Sequence, residues 1–369
     1  MTLVEAAVRA EIERRGPIPF REVVELSLYD PAGGFYATGG RAGRRGDFLT
    51  SPEVGPLFGA VVARALDTWW DDAGRPGIFP VIEAGAGPGA LARAVLAAAP
   101  RCAPALRYVL VERSASQREL QAEHLALEPR GVAFASRPEP DDDHHGPLPA
   151  APAGPIVVSL GELPRLPGPC VVLANELLDN LCFGLLERTA DGWAEVHVGL
   201  AGDRLVEVLL PTDAWPTVTA ALGARVPTQA AAGAWVNEAR ALAGEDGRVV
   251  AFDYASITAD LARRPWTEWV RTYRGHARGG PPLHGLGTQD ITCEVAVDQL
   301  PAPASERAQS EWLGVHGIHE LVAEGRRVWA DRAGIGDLAA VRARSRIHEA
   351  EALLDPAGLG AFHVLEWHG

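Results

Sequence analysis

Short unbroken apolar runs alternate along this chain with stretches in which apolar residues recur every three or four positions. Phe79–Ile82, Tyr108–Val111, GPIVVSL, PCVVLAN and GRVVAF are the unbroken kind, and each reads as a strand buried on both faces. LARAVLAAA, directly after the first of them, has helical spacing. Strands alternating with helices predict an α/β fold around a mostly parallel sheet, and the last run, AFHVLEW, is expected to close it as an antiparallel edge strand. Ahead of this core, Val4, Ala7, Val8 and Ile12 mark a helix over Leu3–Arg15 that Gly16-Pro17 stops, and PFREVVELSLYD marks a second that Asp30-Pro31 ends. A third helix should run from near Pro56 to Trp69 and Trp70.

Between about Cys182 and Glu245 the rhythm changes. GWAEVHVGL and RLVEVLL alternate with period two and predict a hairpin, and AAGAWVNEARALAG predicts a helix. The expected organisation is an N-terminal helical cap and loop over residues 1–75, the first part of the core over 76–181, an inserted α+β subdomain over 182–245, and the rest of the core over 246–369. The insert is expected to lid the sheet's ligand edge or to form a homodimer contact.

The candidate chemistry gathers around VIEAGAGPGAL, Val81 to Leu91. Here a strand ends in Glu83, turns through Gly85, Ala86, Gly87, Pro88 and Gly89, and re-enters a helix. Glycines let a ligand approach the backbone, because no β-carbon stands in the way. The spacing departs from the dinucleotide fingerprint, and an acid two residues before the first glycine would repel a pyrophosphate. A ligand carrying a sulfonium and an ammonium fits better, which favours S-adenosylmethionine over a nicotinamide dinucleotide. Glu112, at the tip of the next strand, suits ribose hydroxyls. Ser159 and Leu160 end a third strand near the expected adenine position. Asn175, Glu176 and Asp179 reach the same edge from a fourth. An N-E-x-x-D run opening a helix is also an ordinary capping pattern.

Residues 33–58 form a glycine-rich loop with Phe35, Tyr36, Phe48 and Leu49, too apolar for a disordered linker and read as a binding loop. Thr50-Ser51-Pro52-Glu53 within it resembles a helix cap. The net charge of −14 argues against nucleic acid as partner and is compatible with a cationic one. Cys102, Cys170, Cys182 and Cys293 are scattered and read as reduced thiols. With no transmembrane-length run and no hydrophobic signal core, the expectation is a cytoplasmic protein without membrane insertion. No metal site is expected. His144 and His145 lack further ligands, and His316 and His319 in HGIHE lack the order of a zinc motif.

Several blocks carry a more specific likeness. PIPFREVVELSLYDPAGGFY, GDFLTSPEVGPLFG, EAGAGPGAL, ANELLDNL, FDY, RTYRGH, QDIT and LLDPAGLGAFHVLEW follow one another as in the MidA family of class I S-adenosylmethionine-dependent methyltransferases, which the chain resembles nearly end to end. That family includes a mitochondrial arginine methyltransferase of complex I assembly. The resemblance implies a Rossmann-like class I methyltransferase fold and a nitrogen acceptor, most simply an arginine of a protein client. It adds Asp47, Phe48, Thr50, Ser51 and Pro52 to the cofactor side and His276 to the catalytic candidates Asn175, Glu176 and Asp179. The chain departs from the family at Cys182–Leu186, Ala255, Glu294 and Ala296, all on the acceptor side. Those departures leave open a small-molecule acceptor, or a cofactor-binding assembly factor with little turnover.

Overall fold

Seven strands form the central sheet, and they are numbered here along the chain: β1 Phe79–Ala84, β2 Leu106–Val111, β3 Ile156–Leu160, β4 Val171–Asn175, β5 Arg248–Asp253, β6 Ser305–Ala308 and β7 His363–His368. The structure is a computed structural model that describes residues 1–39, 50–133, 152–166, 168–213, 217–275 and 277–369. Strand order is β6-β7-β5-β4-β1-β2-β3. β4, β1, β2, β3 and β5 pair in parallel, whereas β7 runs antiparallel to both of its neighbours. The expected antiparallel strand is therefore present but lies one place inside the edge. The edge belongs to β6, whose residues SERA are half-exposed or exposed and carry no apolar run to announce them.

Both faces of the sheet are covered, as the unbroken apolar runs require. On one face pack the helices Pro56–Asp72, Ala90–Ala97, Ile318–Arg332 and Leu338–Leu353, around Phe58, Val62, Tyr108, Phe252 and Trp312. Gly59 allows the first two of these helices to touch, since a β-carbon there would sit 2.3 Å from that of Ala94. The other face is covered by Ala230–Ala243 through Ala232, Val236 and Ala239. This helix was grouped by its sequence position with the insert, and it lies against the central sheet.

The helices Leu3–Arg15 and Phe20–Tyr29 form a second body with an antiparallel sheet built from the insert. The hairpin Gly192–Ala201/Arg204–Pro211 pairs as its alternation predicts. Ile18–Pro19 adds to its edge, so the N-terminal cap and the insert share one apolar core. A three-stranded piece joins the same core, in which Val270–Arg274 pairs with Asp290–Cys293. The two sequence blocks that hold Arg271 and Asp290 are thereby placed side by side at the edge of the core sheet. Among the described residues no helix is long and apolar enough to cross a membrane.

Candidate active site

β1 is flanked by β2 on one side and β4 on the other, so the chain leaves the sheet in opposite directions from the ends of β1 and β4. Such a switch point opens a crevice at the carboxyl ends of the strands. A cavity of about 500 Å³ lies there, within the range of roughly 300–1,000 Å³ that small-molecule sites occupy. Glu83, Gly85, Ala86 and Gly87 line it from β1, Glu112 from β2, and Asn175 and Glu176 from β4. Thr50 and Pro52 line it from the start of the short helix Ser51–Val54 ahead of the core.

The glycine bend is held open by backbone geometry. Gly85, Gly87 and Gly89 have φ of +67°, +50° and +81°, and a β-carbon placed on Gly87 would meet nothing within 4 Å. That empty wall is what a cofactor lying against the backbone needs. Glu112 reaches across to the bend, its two carboxylate oxygens accepting from Gly87 N at 3.0 Å and Ser114 N at 2.8 Å. Each oxygen keeps lone pairs for ribose hydroxyls. Burial raises the Glu112 carboxyl, while these backbone donors oppose the rise.

Glu83 differs from the charged acid the sequence suggests. It is 4% exposed and accepts from the Tyr108 hydroxyl at 2.7 Å. Burial pushes its carboxyl up to about 8, so at neutral pH it is largely protonated until a cation arrives. Ser159 does not line the cavity. Its hydroxyl donates to Gln121 at 2.6 Å, and the Gln121 amide donates to Gly87 O at 2.7 Å, so it braces the glycine bend from behind. Leu160 likewise ends β3 short of the cavity, which Gly161, Glu162 and Leu163 line instead. Gly89 starts the helix Ala90–Ala97 and packs on Leu125 and Leu110. Ser51 sits beneath the lining, donating its N–H to Glu176 at 3.3 Å and its hydroxyl to Gln309 at 3.1 Å. Asp47, Phe48 and His276 lie outside the described residues, as do His144 and His145.

At the end of β4 the wall changes character. Glu176 has φ +51°, a left-handed conformation that costs a residue with a β-carbon roughly 1–2 kcal/mol. It is held there by its N–H bond to Phe252 O at 2.8 Å. The turn that follows is capped from a neighbouring strand: Asp253 of β5 accepts from Leu178 N at 2.9 Å and Asp179 N at 3.3 Å. The helix-capping reading of N-E-x-x-D thus assigns the wrong acid, and Glu176 and Asp179 are released from that duty. The Glu176 carboxyl, pushed up to about 8 by burial and then by the nearby Asp179, accepts only long bonds of 3.3 Å from Ser51 N and the Asn175 amide. Asn175 Oδ1 is buried without a partner among the described residues.

Asp179 lies one layer deeper, 3% exposed, with Oδ2 accepting from the Tyr254 hydroxyl at 2.6 Å and Oδ1 unpartnered among the described residues. Desolvation raises its carboxyl to about 6. Asp290, fully buried behind Asn180 and Tyr36, is raised to about 7 by burial and by the charge of Asp179. The sequence placed Tyr36 in a binding loop, and it lines the cavity; Tyr29 and Asn180 on the wall and Asp253 and Asp290 behind it were not singled out. All five fall in the blocks YDPAGGFY, ELLDNL, FDY and QDIT, which was the available signal. His316 packs edge-on to Trp69 and tilted against Trp312, and burial with nearby arginines lowers it to about 4. Among the described residues no group of three His, Cys, Asp or Glu could hold a metal ion.

The donor set fits S-adenosylmethionine: a bare glycine wall, an acid placed for ribose hydroxyls, and carboxyl and carboxamide oxygens open to a positive ligand. The comparisons agree. Residues 61–316 match the family described as "Putative S-adenosyl-L-methionine-dependent methyltransferase". A protein from Burkholderia thailandensis, crystallised with S-adenosyl-homocysteine, superposes with a TM-score of 0.77 at 28% identity, covering 99% of this chain and 92% of that one. The zebrafish protein arginine methyltransferase NDUFAF7, mitochondrial, is 27% identical over 316 residues, which is 81% of this chain and 71% of that protein. Its mouse counterpart is 30% identical over 213 residues, 54% of this chain and 47% of the mouse protein, so the match spans about half the length of that relative.

The expectation of a cytoplasmic location is overturned, because these relatives are mitochondrial proteins. Scattered cysteines and an amphipathic first helix are not an address. The family match and the shared fold lead to one identification: the chain belongs to the MidA family of S-adenosylmethionine-dependent methyltransferases.

Proposed function

We propose that this methyltransferase acts on an arginine side chain of a protein client. The observation that carries the reading is the acidic end of the cavity, where Glu176 and Asn175 line the wall with weakly engaged or free acceptor oxygens and Asp179 lies behind them. Buried carboxyl and carboxamide oxygens left without donors favour a ligand that brings N–H groups and positive charge. A guanidinium supplies both the charge and multiple N–H donors. The relatives named as protein arginine methyltransferases support the same acceptor.

When bound, S-adenosylmethionine supplies an electrophilic methyl group on a sulfonium. Gly85, Ala86 and Gly87 would lie against it, and Glu112 would take its ribose hydroxyls. Glu176 accepts N–H bonds from the guanidinium and turns one nitrogen toward the methyl position. Asn175 accepts through Oδ1. Transfer would exchange the sulfonium's S–C bond for an N–C bond and release S-adenosyl-homocysteine, and Glu176, ionised by the incoming cation, would take the proton the nitrogen sheds. The deeper Asp179 holds negative charge close by, keeping the guanidinium anchored through transfer.

The test is methyl transfer from radiolabelled S-adenosylmethionine into a cell lysate, followed by acid hydrolysis of the labelled protein. Label in methylarginine, lost with Glu176→Gln, is the expected result. Label confined to small molecules, or to another side chain, would rule the arginine reading out. Cofactor binding without any label would leave a client-binding assembly factor.

A further inference from the structure

The cavity wall that shares the acidic end with Glu176 carries a tyrosine whose hydrogen bonding is already committed. Tyr36 lines the cavity, and its hydroxyl donates to Asp290 Oδ1 at 3.1 Å. That single oxygen also receives the Asn180 amide at 3.1 Å and Ile291 N at 3.0 Å, while Asp290 Oδ2, fully buried, has no partner among the described residues. A phenol that has given away its only proton can face a ligand solely as an acceptor. Its ring is fixed by Tyr29, which stacks on it at 5.6 Å and donates its own hydroxyl to Asn180 O at 3.1 Å. The Tyr36 carbonyl is held by the Ser114 hydroxyl at 2.8 Å, two residues past the ribose-facing Glu112. The aromatic pair is already suited to planar cations, for the chain's own Arg113 places its guanidinium 4.4 Å from the Tyr29 ring centre.

We propose that Tyr36, oriented by Asp290, is the residue that reads the acceptor: its phenolic oxygen takes an N–H of a cationic guanidinium and rejects neutral isosteres. Tyr36 touches the acceptor, and Asp290 is a positioning residue that fixes the direction of the Tyr36 proton and keeps negative charge behind it. The inference rests on the arginine reading above and adds the pair that would enforce it. A neutral urea replaces one NH2 donor of the guanidinium with a carbonyl acceptor and brings no positive charge to the acidic wall. Replacing Asp290 by Asn keeps the shape and, with the amide oxygen held toward the same three donors, removes the negative charge behind Tyr36. Cation selectivity should then fall more than affinity for the cofactor.

The experiment uses the full chain saturated with S-adenosyl-homocysteine and two probes, Nα-acetyl-arginine amide and its neutral citrulline counterpart, titrated calorimetrically. The parent should prefer the arginine probe. In Tyr36→Phe and in Asp290→Asn that preference should fall at least about tenfold, the scale of one charge-assisted hydrogen bond, with S-adenosyl-homocysteine affinity within about twofold of the parent. The Phe variant retains the stacked ring, so it answers the question even if Asp290→Asn fails to fold. An unchanged arginine-to-citrulline ratio in the variants would overturn this inference and leave the arginine reading standing. Failure of the parent to bind the arginine probe would overturn both. Weakened S-adenosyl-homocysteine binding at an unchanged ratio would assign Tyr36 to the cofactor instead and overturn the inference.

Discussion

At the glycine bend the cavity wall is mostly backbone, and its polar groups are paired: Glu112 takes two N–H donors, and Gln121 holds Gly87 O. At the end of β4 the wall is side chain, with raised carboxyl groups, acceptor oxygens lacking partners among the described residues, and a left-handed glutamate. The backbone groups of one region are paired before any ligand arrives, and the other leaves acceptor oxygens open for an N–H-bearing ligand. The difference separates two jobs. A cofactor common to every turnover can be met by a preformed surface. An acceptor has to be chosen, and buried acceptor oxygens without donors count against a molecule that cannot supply them.

If this division is right, substitutions in the two regions should part company in what they change. The largest effect is expected from Gly87→Val, which fills the open wall at a φ that a β-branched residue rarely adopts. S-adenosyl-homocysteine affinity should fall roughly 100-fold or more, the scale of losing several contacts at once, with the circular dichroism of the fold retained. Equal affinity in mutant and parent would remove the cofactor from the bend. Next comes Glu176→Gln, for which turnover should drop by roughly 10²–10³ while cofactor affinity stays within twofold. A loss in cofactor affinity of the same size would erase the distinction between the regions.

The pH dependence sharpens the contrast. With the acceptor site empty the Glu176 carboxyl is raised to about 8, so kcat/KM, which reports the free enzyme, should climb as pH rises through that value and then level off. In Glu176→Gln that limb should vanish. Stability moves the opposite way. The folded carboxyl binds its proton more tightly than the unfolded one, so the stability this contributes is complete below about pH 4.5 and is lost as pH rises toward 8. The Gln variant should therefore gain more in Tm over the parent at pH 8.5 than at pH 5, and thermal scans at the two values check it. The smallest effect is expected from Gln121→Ala, which frees Gly87 O without touching the cavity. Cofactor affinity should weaken roughly three- to tenfold, the worth of one hydrogen bond.

How far each region could be read from the sequence follows the same division. A bend that depends on positive φ writes its requirement locally, as glycines within five residues of a strand end, so Gly85, Gly87 and the acid before them were legible. β1 to β5 and β7 were legible too, because burial on both faces leaves unbroken apolar runs, whereas the half-exposed β6 leaves none. The acceptor side is assembled from distant segments. Tyr36 and Asp290 are 254 positions apart, and only the docking of the N-terminal body on the Val270–Arg274/Asp290–Cys293 ladder brings them together. Glu176 was legible as an acid at a strand end. Its left-handed backbone, and the transfer of the capping role to Asp253, depend on β4 lying beside β5 and could not be read from N-E-x-x-D alone.

The most direct test of the division is a crystal structure of the chain with S-adenosyl-homocysteine bound. The expected result is a ligand backed by Gly85–Gly87, its ribose hydroxyls on Glu112, and its sulfur pointing toward the wall of Glu176, Asn175 and Tyr36. A ligand whose sulfur faces away from that wall, or a glycine bend filled by the protein's own side chains, would contradict it.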